Sequence, residues 1–239
     1  MRKILITTAA ALATLPVGTS AVLADDLPIS ANISILSDYA FRGFSQTDQR
    51  PAVQGGLDYE HESGFYLGLW GSNISWLSDA GAERSSVELN VYGGYSTDLG
   101  PLGLDVGLVH YYYPGRFGSS TDYEGRTPNT TEGYVGLSWQ FLSFTYSHAF
   151  TNLFGLDNSK NSQHYELAAS YEIMDGLTLD AHYGYSRVRG RDNDNWADWR
   201  LGATKSWRGF DFGLHYVDSD VSGDRLADER FILSIGKSF

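Results

Sequence analysis

The chain has 239 residues, no cysteine, a formal net charge of -12 and 19% charged residues. The missing thiols exclude a disulfide framework, a thiolate metal site and a cysteine nucleophile, and the acidic balance argues against nucleic acid, which calls for a basic footprint. Aromatics at 14%, with 27 glycines, suit a transmembrane β-barrel, in which only alternate residues meet lipid.

The first segment is a processing signal. Arg2 and Lys3 precede a mostly apolar run that ends in Val22-Leu23-Ala24 before two acids. This predicts a secretory signal peptide over residues 1–24, cleaved after Ala24. The run is too short and broken to span a bilayer comfortably. Residues 25–239 then read as one domain, two charge units more negative once Arg2 and Lys3 are gone. No cofactor is expected.

From there the dominant period is two, the mark of half-exposed strands. Val87, Leu89, Val91, Gly93 and Tyr95 alternate with Glu88, Asn90, Tyr92, Gly94 and Ser96. Tyr165, Leu167, Ala169, Tyr171 and Ile173 alternate with His164, Glu166, Ala168, Ser170 and Glu172. A helix would scatter Glu166 and Glu172 over different faces, whereas a strand puts both on one. The pattern predicts twelve strands, over 29–43, 51–61, 65–77, 86–97, 102–113, 132–141, 143–153, 163–173, 177–188, 196–207, 210–218 and 229–239. Ile33, Ile35, Tyr39 and Phe41 are expected to face lipid on the first of these. The connections alternate between long polar loops such as "LSDAGAERS" or "DSDVSGDRLAD" and tight turns such as "MDG" and "WRG". Long loops at one end and tight turns at the other suggest an all-β, antiparallel up-and-down barrel of the outer membrane, with its short turns toward the periplasm. Trp70, Trp76, Tyr111, Tyr112, Tyr113, Trp139, Trp196, Trp199 and Trp207 lie toward predicted strand ends and are expected to form interfacial girdles.

The last strand places Phe231, Leu233, Ile235 and Lys237 on one face and ends on Phe239. A terminal aromatic closing an alternating strand resembles the C-terminal signal of bacterial outer-membrane proteins, so Phe231, Leu233, Ile235 and Phe239 are read as the mark for the barrel-assembly machinery. The expected partners are outer-membrane lipid, that machinery, and small polar solutes or ions.

A charge facing hydrocarbon costs about 2–4 kcal/mol at the midplane for Arg or Lys. Asp38, Arg42, Asp58, Glu60, Glu88, Asp105, Glu132, Glu166, Glu172, Asp180, Arg200, Asp211 and Arg230 are therefore assigned to the lumen, together with His182 and Asp198. Asp38 and Arg42 sit about 13 Å apart along one strand, so Arg42 is expected to meet a carboxylate on a neighbour, Glu60 or Asp58. This acid-rich set points to a narrow, cation-favouring passage constricted by arginine–carboxylate pairs. A plugged barrel with a hydrogen-bonded interior is the other reading of the same residues.

Catalysis has little to work with. Ser147 and His148 point to opposite faces of a strand, and His182 and Ser186 share a face about 13 Å apart, too far for a nucleophile and its base. No histidine spacing suggests zinc. Asp218, Asp220, Ser222, Gly223 and Glu229 follow the calcium-loop spacing, but between strands, where that motif calls for helices, so they form a weak calcium candidate.

Three runs carry a family resemblance: Y-x-F-R-G-x-S-Q at Tyr39 to Gln46, P-A-V-Q-G at Pro51 to Gly55, and G-x-W-G-S-N at Gly68 to Asn73. Together they resemble the N-terminal signature of the TorF-type porins, proteobacterial outer-membrane proteins long classed as conserved proteins of unknown function. The resemblance implies an outer-membrane β-barrel of porin type. It brings no catalytic residues and no established solute.

Overall fold

The computed structural model describes residues 28–118, 125–190 and 194–239. Twelve long antiparallel strands close into a barrel: β1 (Ile29–Leu36), β4 (Ala52–Glu60), β5 (Phe65–Asn73), β6 (Val87–Leu99), β7 (Leu102–Tyr112), β8 (Thr130–Trp139), β9 (Leu142–Ala149), β10 (Gln163–Met174), β11 (Leu177–Arg187), β12 (Trp196–Trp207), β13 (Phe210–Ser219) and β14 (Arg230–Ser238). Each pairs with its sequence neighbour, and β1 closes the ring on β14 from Asn32↔Ser238 to Leu36↔Ser234. Closure leaves no unpaired sheet edge. The remaining elements lie outside this ladder: a two-stranded hairpin of β2 (Ala40–Phe41) and β3 (Phe44–Ser45), and a one-turn helix α1 (Trp76–Asp79). The predicted signal peptide lies outside the described residues.

Local chemistry sets the two ends of the barrel. At one end the connections are tight. Arg208 and Gly209 join Trp207 to Phe210 with φ of 52° and 75°, as a two-residue turn matched to strand twist requires. At the other end run the long connections, including 37–51, 74–86 and 220–229. The twelve strands match the expected spans to within two residues except at three ends: the first stops at Leu36 and not at residue 43, the third at Asn73 and not at 77, with Trp76 and Leu77 in α1, and the seventh at Ala149 and not at 153.

The strand faces are inside out relative to a soluble barrel. Ile35, Leu57, Leu69, Leu108, Leu167, Leu201 and Leu233 are all more than half exposed on the outer wall. Their alternate neighbours, among them Gln54, Glu88, Asn90, Asp105, Glu132, His164 and Asp198, are buried inside. Among the described residues no helix is long and apolar enough to cross a membrane.

Candidate functional site

The barrel interior is built in two levels, and the upper one is a surprise of the first connection. Residues 38–47 turn back into the lumen in place of continuing β1. Phe41 pairs with Phe44 across a two-residue turn in which Arg42 and Gly43 have φ of 47° and 89°. Gly43 is required twice over: its backbone is left-handed, and a Cβ there would lie 2.9 Å from Asp198 Cβ and 3.0 Å from Ser219 Cβ.

The hairpin spans the lumen from wall to wall. On one side Arg42 forms a two-pronged pair with Glu132 of β8, at 3.0 and 2.7 Å. Tyr39 packs edge-on to Trp70 of β5 at 5.5 Å and donates its hydroxyl to Glu88 of β6 at 3.3 Å. Phe41 meets Tyr111 of β7 and Phe154 of the β9–β10 loop at 5.9 and 5.6 Å. On the other side Trp196 of β12 donates its indole N–H to the Arg42 carbonyl at 2.9 Å, and Arg230 of β14 donates to the Gly43 carbonyl at 2.9 Å and to Asp38 at 2.6 Å. Asp38 also accepts Ser45 Oγ at 2.6 Å and lies 2.9 Å from Thr47 Oγ1. Outside the hairpin, Asp48 pairs with Arg50 and with Arg225 of the β13–β14 loop. These two hydrogen bonds hold its carboxyl below the usual range.

The consequence is a constriction. Leu36, Ser72, Glu88, Tyr111, Glu132, Ala149, His164, Ser186, Asp198 and Ile232, inward residues toward the loop end of ten strands, are all buried. Removing these aromatics and charges from water is offset by their mutual contacts, and a charge pair in such a place fixes position more than it adds stability.

Below the hairpin, toward the tight turns, the lumen has two unlike walls. On β4–β8, Tyr92 donates its hydroxyl to Asp58, Tyr66 donates to Asp105 at 2.6 Å, and the Tyr66 and Tyr134 hydroxyls are in contact. On β10–β13, His182 sits between Glu166 at 3.4 Å and Asp198 at 2.8 Å. Asp180 holds Arg200 at 3.2 Å and His215 at 3.1 Å.

The interior candidates fall into groups that their strand positions do not reveal. Asp38, Arg42, Glu88, Glu132 and Arg230 belong to the hairpin's anchorage; Asp58 and Asp105 to the tyrosine wall; Glu166, Asp180 and Arg200 to the histidine wall. Glu60 and Glu172 are exposed near the turns, where Glu172 accepts the Gly176 N–H at 2.8 Å, and Asp211 accepts the Ser206 hydroxyl.

Several expectations are corrected. Tyr39 and Phe41 do not face lipid; both are buried in the hairpin's core. Arg42 meets Glu132, not Glu60 or Asp58, because leaving the strand carries it across the lumen. Trp70, Tyr111 and Tyr113 are buried inside and form no girdle. Trp196 turns inward to Phe44, at 5.3 Å, and Trp76 of α1 packs on Tyr113, at 5.5 Å. Tyr112, Trp139 and Trp207 are exposed near strand ends, as a girdle needs.

One contact escaped sequence reasoning. His164 Nδ1 and Ser186 Oγ are 2.9 Å apart, a register pair of β10 and β11. Both are 2% exposed beneath the hairpin, which leaves no approach for a substrate carbonyl. Ser147 faces inward while His148 binds Tyr146 at 3.1 Å. Asp218 accepts the Tyr216 hydroxyl and the Ser219 N–H, and Asp220 accepts the Ala197 N–H. Among the described residues no three His, Asp or Glu side chains converge to hold a metal.

A family model described as "Bacterial protein of unknown function (Gcw_chp)" matches residues 21–239. The match bears that description and not the TorF designation suggested by the motifs. No curated protein sequence matches the chain. Among solved structures, the KdgM porin superposes with a TM-score of 0.58 at 10% identity, covering 88% of this chain and 99% of the porin. The KdgM porin in complex with disordered oligogalacturonate gives 0.52 at 11%, over 88% and 98% of the two chains. The NanC porin gives 0.52 at 14%, again over 88% and 98%. At such identities the likeness is one of fold, a barrel shared with outer-membrane porins.

Proposed function

We propose a channel function for this chain, which belongs to the Gcw_chp family of bacterial proteins of unknown function. In this reading the barrel sits in the outer membrane of a Gram-negative bacterium, its long loops outside and its turns in the periplasm. Small hydrophilic solutes, cations above all, cross the lumen passively. The reading is carried by one observation: a continuous apolar exterior surrounds an inner face of carboxylates, hydroxyls and a few arginines. Hydrocarbon tolerates such a wall only if every backbone group is paired and the charges look inward.

The sign of the interior supports cations. Besides Asp38 and Arg42 of the hairpin, which pair with Arg230 and Glu132, the inner faces carry Asp58, Glu60, Glu88, Asp105, Glu132, Glu166, Asp180 and Asp198 against Arg200 and Arg230. Like-signed charge in a low-dielectric cleft concentrates counter-ions. Oligogalacturonate, bound by one structural relative, is a polyanion, and such a lumen would repel it. A second reading, a closed barrel that displays acidic loops, draws on the burial of the inward side chains around the hairpin.

Planar-bilayer recording in a potassium chloride gradient separates the two. The channel reading expects small unitary currents with a reversal potential on the potassium side. Chloride preference would overturn the assignment of charge, and silence from both the native chain and a chain without the hairpin would favour the closed barrel.

A further inference from the structure

We infer that the β4–β8 wall, below the hairpin, is a binding site for a small organic cation, an ammonium or guanidinium group. This deepens the channel reading by naming a class of solute. The five strands β4 to β8 contain no lysine or arginine. Their inner face toward the turns carries Asp58 and Glu60 on β4, Tyr66 on β5, Tyr92 on β6 and Tyr134 on β8. Register puts these side by side: Glu60 opposite Tyr66, Asp58 opposite Gly68, and Gly68 opposite Tyr92.

Glycines give the site its shape. A Cβ at Gly68 would lie 2.2 Å from Tyr92 Cζ, one at Gly94 would lie 2.5 Å from the Tyr66 hydroxyl, and one at Gly107 would lie 2.5 Å from Tyr134 Cζ. All three tyrosines are therefore laid across neighbouring strands, along the wall, and do not project into the lumen. Tyr66, Tyr92 and Asp58 stay half-buried, with surface left for the interior. The Tyr92 hydroxyl steadies Asp58, and Asp105 steadies Tyr66.

Aromatic surface beside a carboxylate is the chemistry that recognises organic cations. A bare divalent ion is a poorer fit, since no three acidic or imidazole groups converge among the described residues. A neutral sugar could stack on the rings and donate hydroxyls to Asp58 and Glu60, but it brings no charge to match theirs. The facing wall does not cancel this charge, because Arg200 and His215 share Asp180, and His182 lies between Glu166 and Asp198.

The test is calorimetric titration of the purified, detergent-solubilised barrel with choline, with its uncharged isostere 3,3-dimethylbutan-1-ol, and with glucose at matched ionic strength. Choline should bind in preference to both. Asp58→Asn with Glu60→Gln should weaken choline about tenfold through loss of charge next to the ring, and Tyr92→Leu should weaken it with the acids intact. Equal binding of choline and the isostere, preference for glucose, or no binding at all overturns the site. Circular dichroism of each variant guards against misfolding. The assay needs no current. A barrel that binds choline but never conducts refutes the channel and leaves the site, while one that conducts without binding choline refutes the site alone.

Discussion

Arg42→Ala should open the lumen. The Arg42 guanidinium and the Glu132 carboxylate are 5% and 3% exposed and bonded at 2.7 Å. With Arg42 gone, Glu132 keeps, among the described residues, only the Tyr111 hydroxyl as a donor, at 3.4 Å. Breaking one side of a buried pair costs about 3–5 kcal/mol. The barrel need not bear that cost, because β2 and β3 form no part of its ladder. If the hairpin lifts away, Glu132 regains water. The same energy then appears as a roughly 10²- to 10⁴-fold shift toward the hairpin-out state. Single-channel recording should show longer or larger openings for Arg42→Ala than for the native chain. Arg42→Met with Glu132→Leu should close the lumen again, since replacing a buried pair by apolar groups is often neutral or stabilising. A single variant with native-like currents, or a double variant as open as the single, would refute the hairpin as the constriction.

Other consequences are more local. Leu69→Arg places a charge at the middle of β5 on the outer wall, where Leu69 is 52% exposed; urea titration in lipid vesicles should show a loss of about 2–4 kcal/mol, and no loss would contradict a lipid-facing wall. Gly202→Ala would set a Cβ 2.0 Å from His215 Cδ2, disturbing the His215–Asp180 contact; about 1–3 kcal/mol of stability should go, and an unchanged urea midpoint would mean the ring has room. The Asp48 clamp has a pH sign: its carboxyl is held down by Arg50 and Arg225, so its contribution is full above the ordinary aspartate pKa of about 3.9 and is lost as pH falls through the lower folded value. Hydrogen-exchange protection factors, corrected for the intrinsic pH dependence of exchange, should stay level around Ser45 to Arg50 and Asp224 to Ala227 from neutral pH to about 5 and fall only below about 4.

The barrel was legible because its signal is redundant: lipid outside and water inside impose the same alternation on strand after strand, as in β6 and β10. Tight turns such as Arg208-Gly209 marked one end. The hairpin was not legible from period alone. Tyr39 and Phe41 alternate with polar neighbours in the same way whether they face lipid or wedge into the lumen, since either environment is apolar. The clue lay in Arg42-Gly43, where a charge and a left-handed turn stand in what looked like a lipid-crossing strand. For Trp70 and Tyr111 the signal was present and outweighed by aromatic preference for interfaces: Trp70 shares its face with Gly68 and Ser72, and Tyr111 with Asp105. Parity alone would have sent both inside. The pairing of Arg42 with Glu132 and of Arg230 with Asp38 depends on tertiary register, which no single strand encodes.

The first connection also supplies the most direct test. Leu36 and Ala52 are register partners, so a short turn can join β1 to β4 without residues 38–50. A chain with that segment replaced by a glycine–serine turn, recorded in a bilayer under a potassium chloride gradient, should conduct steadily, with more current than the native chain and a reversal potential that favours potassium. Absence of current, or a preference for chloride, would contradict a cation-favouring channel held narrow by its own first loop.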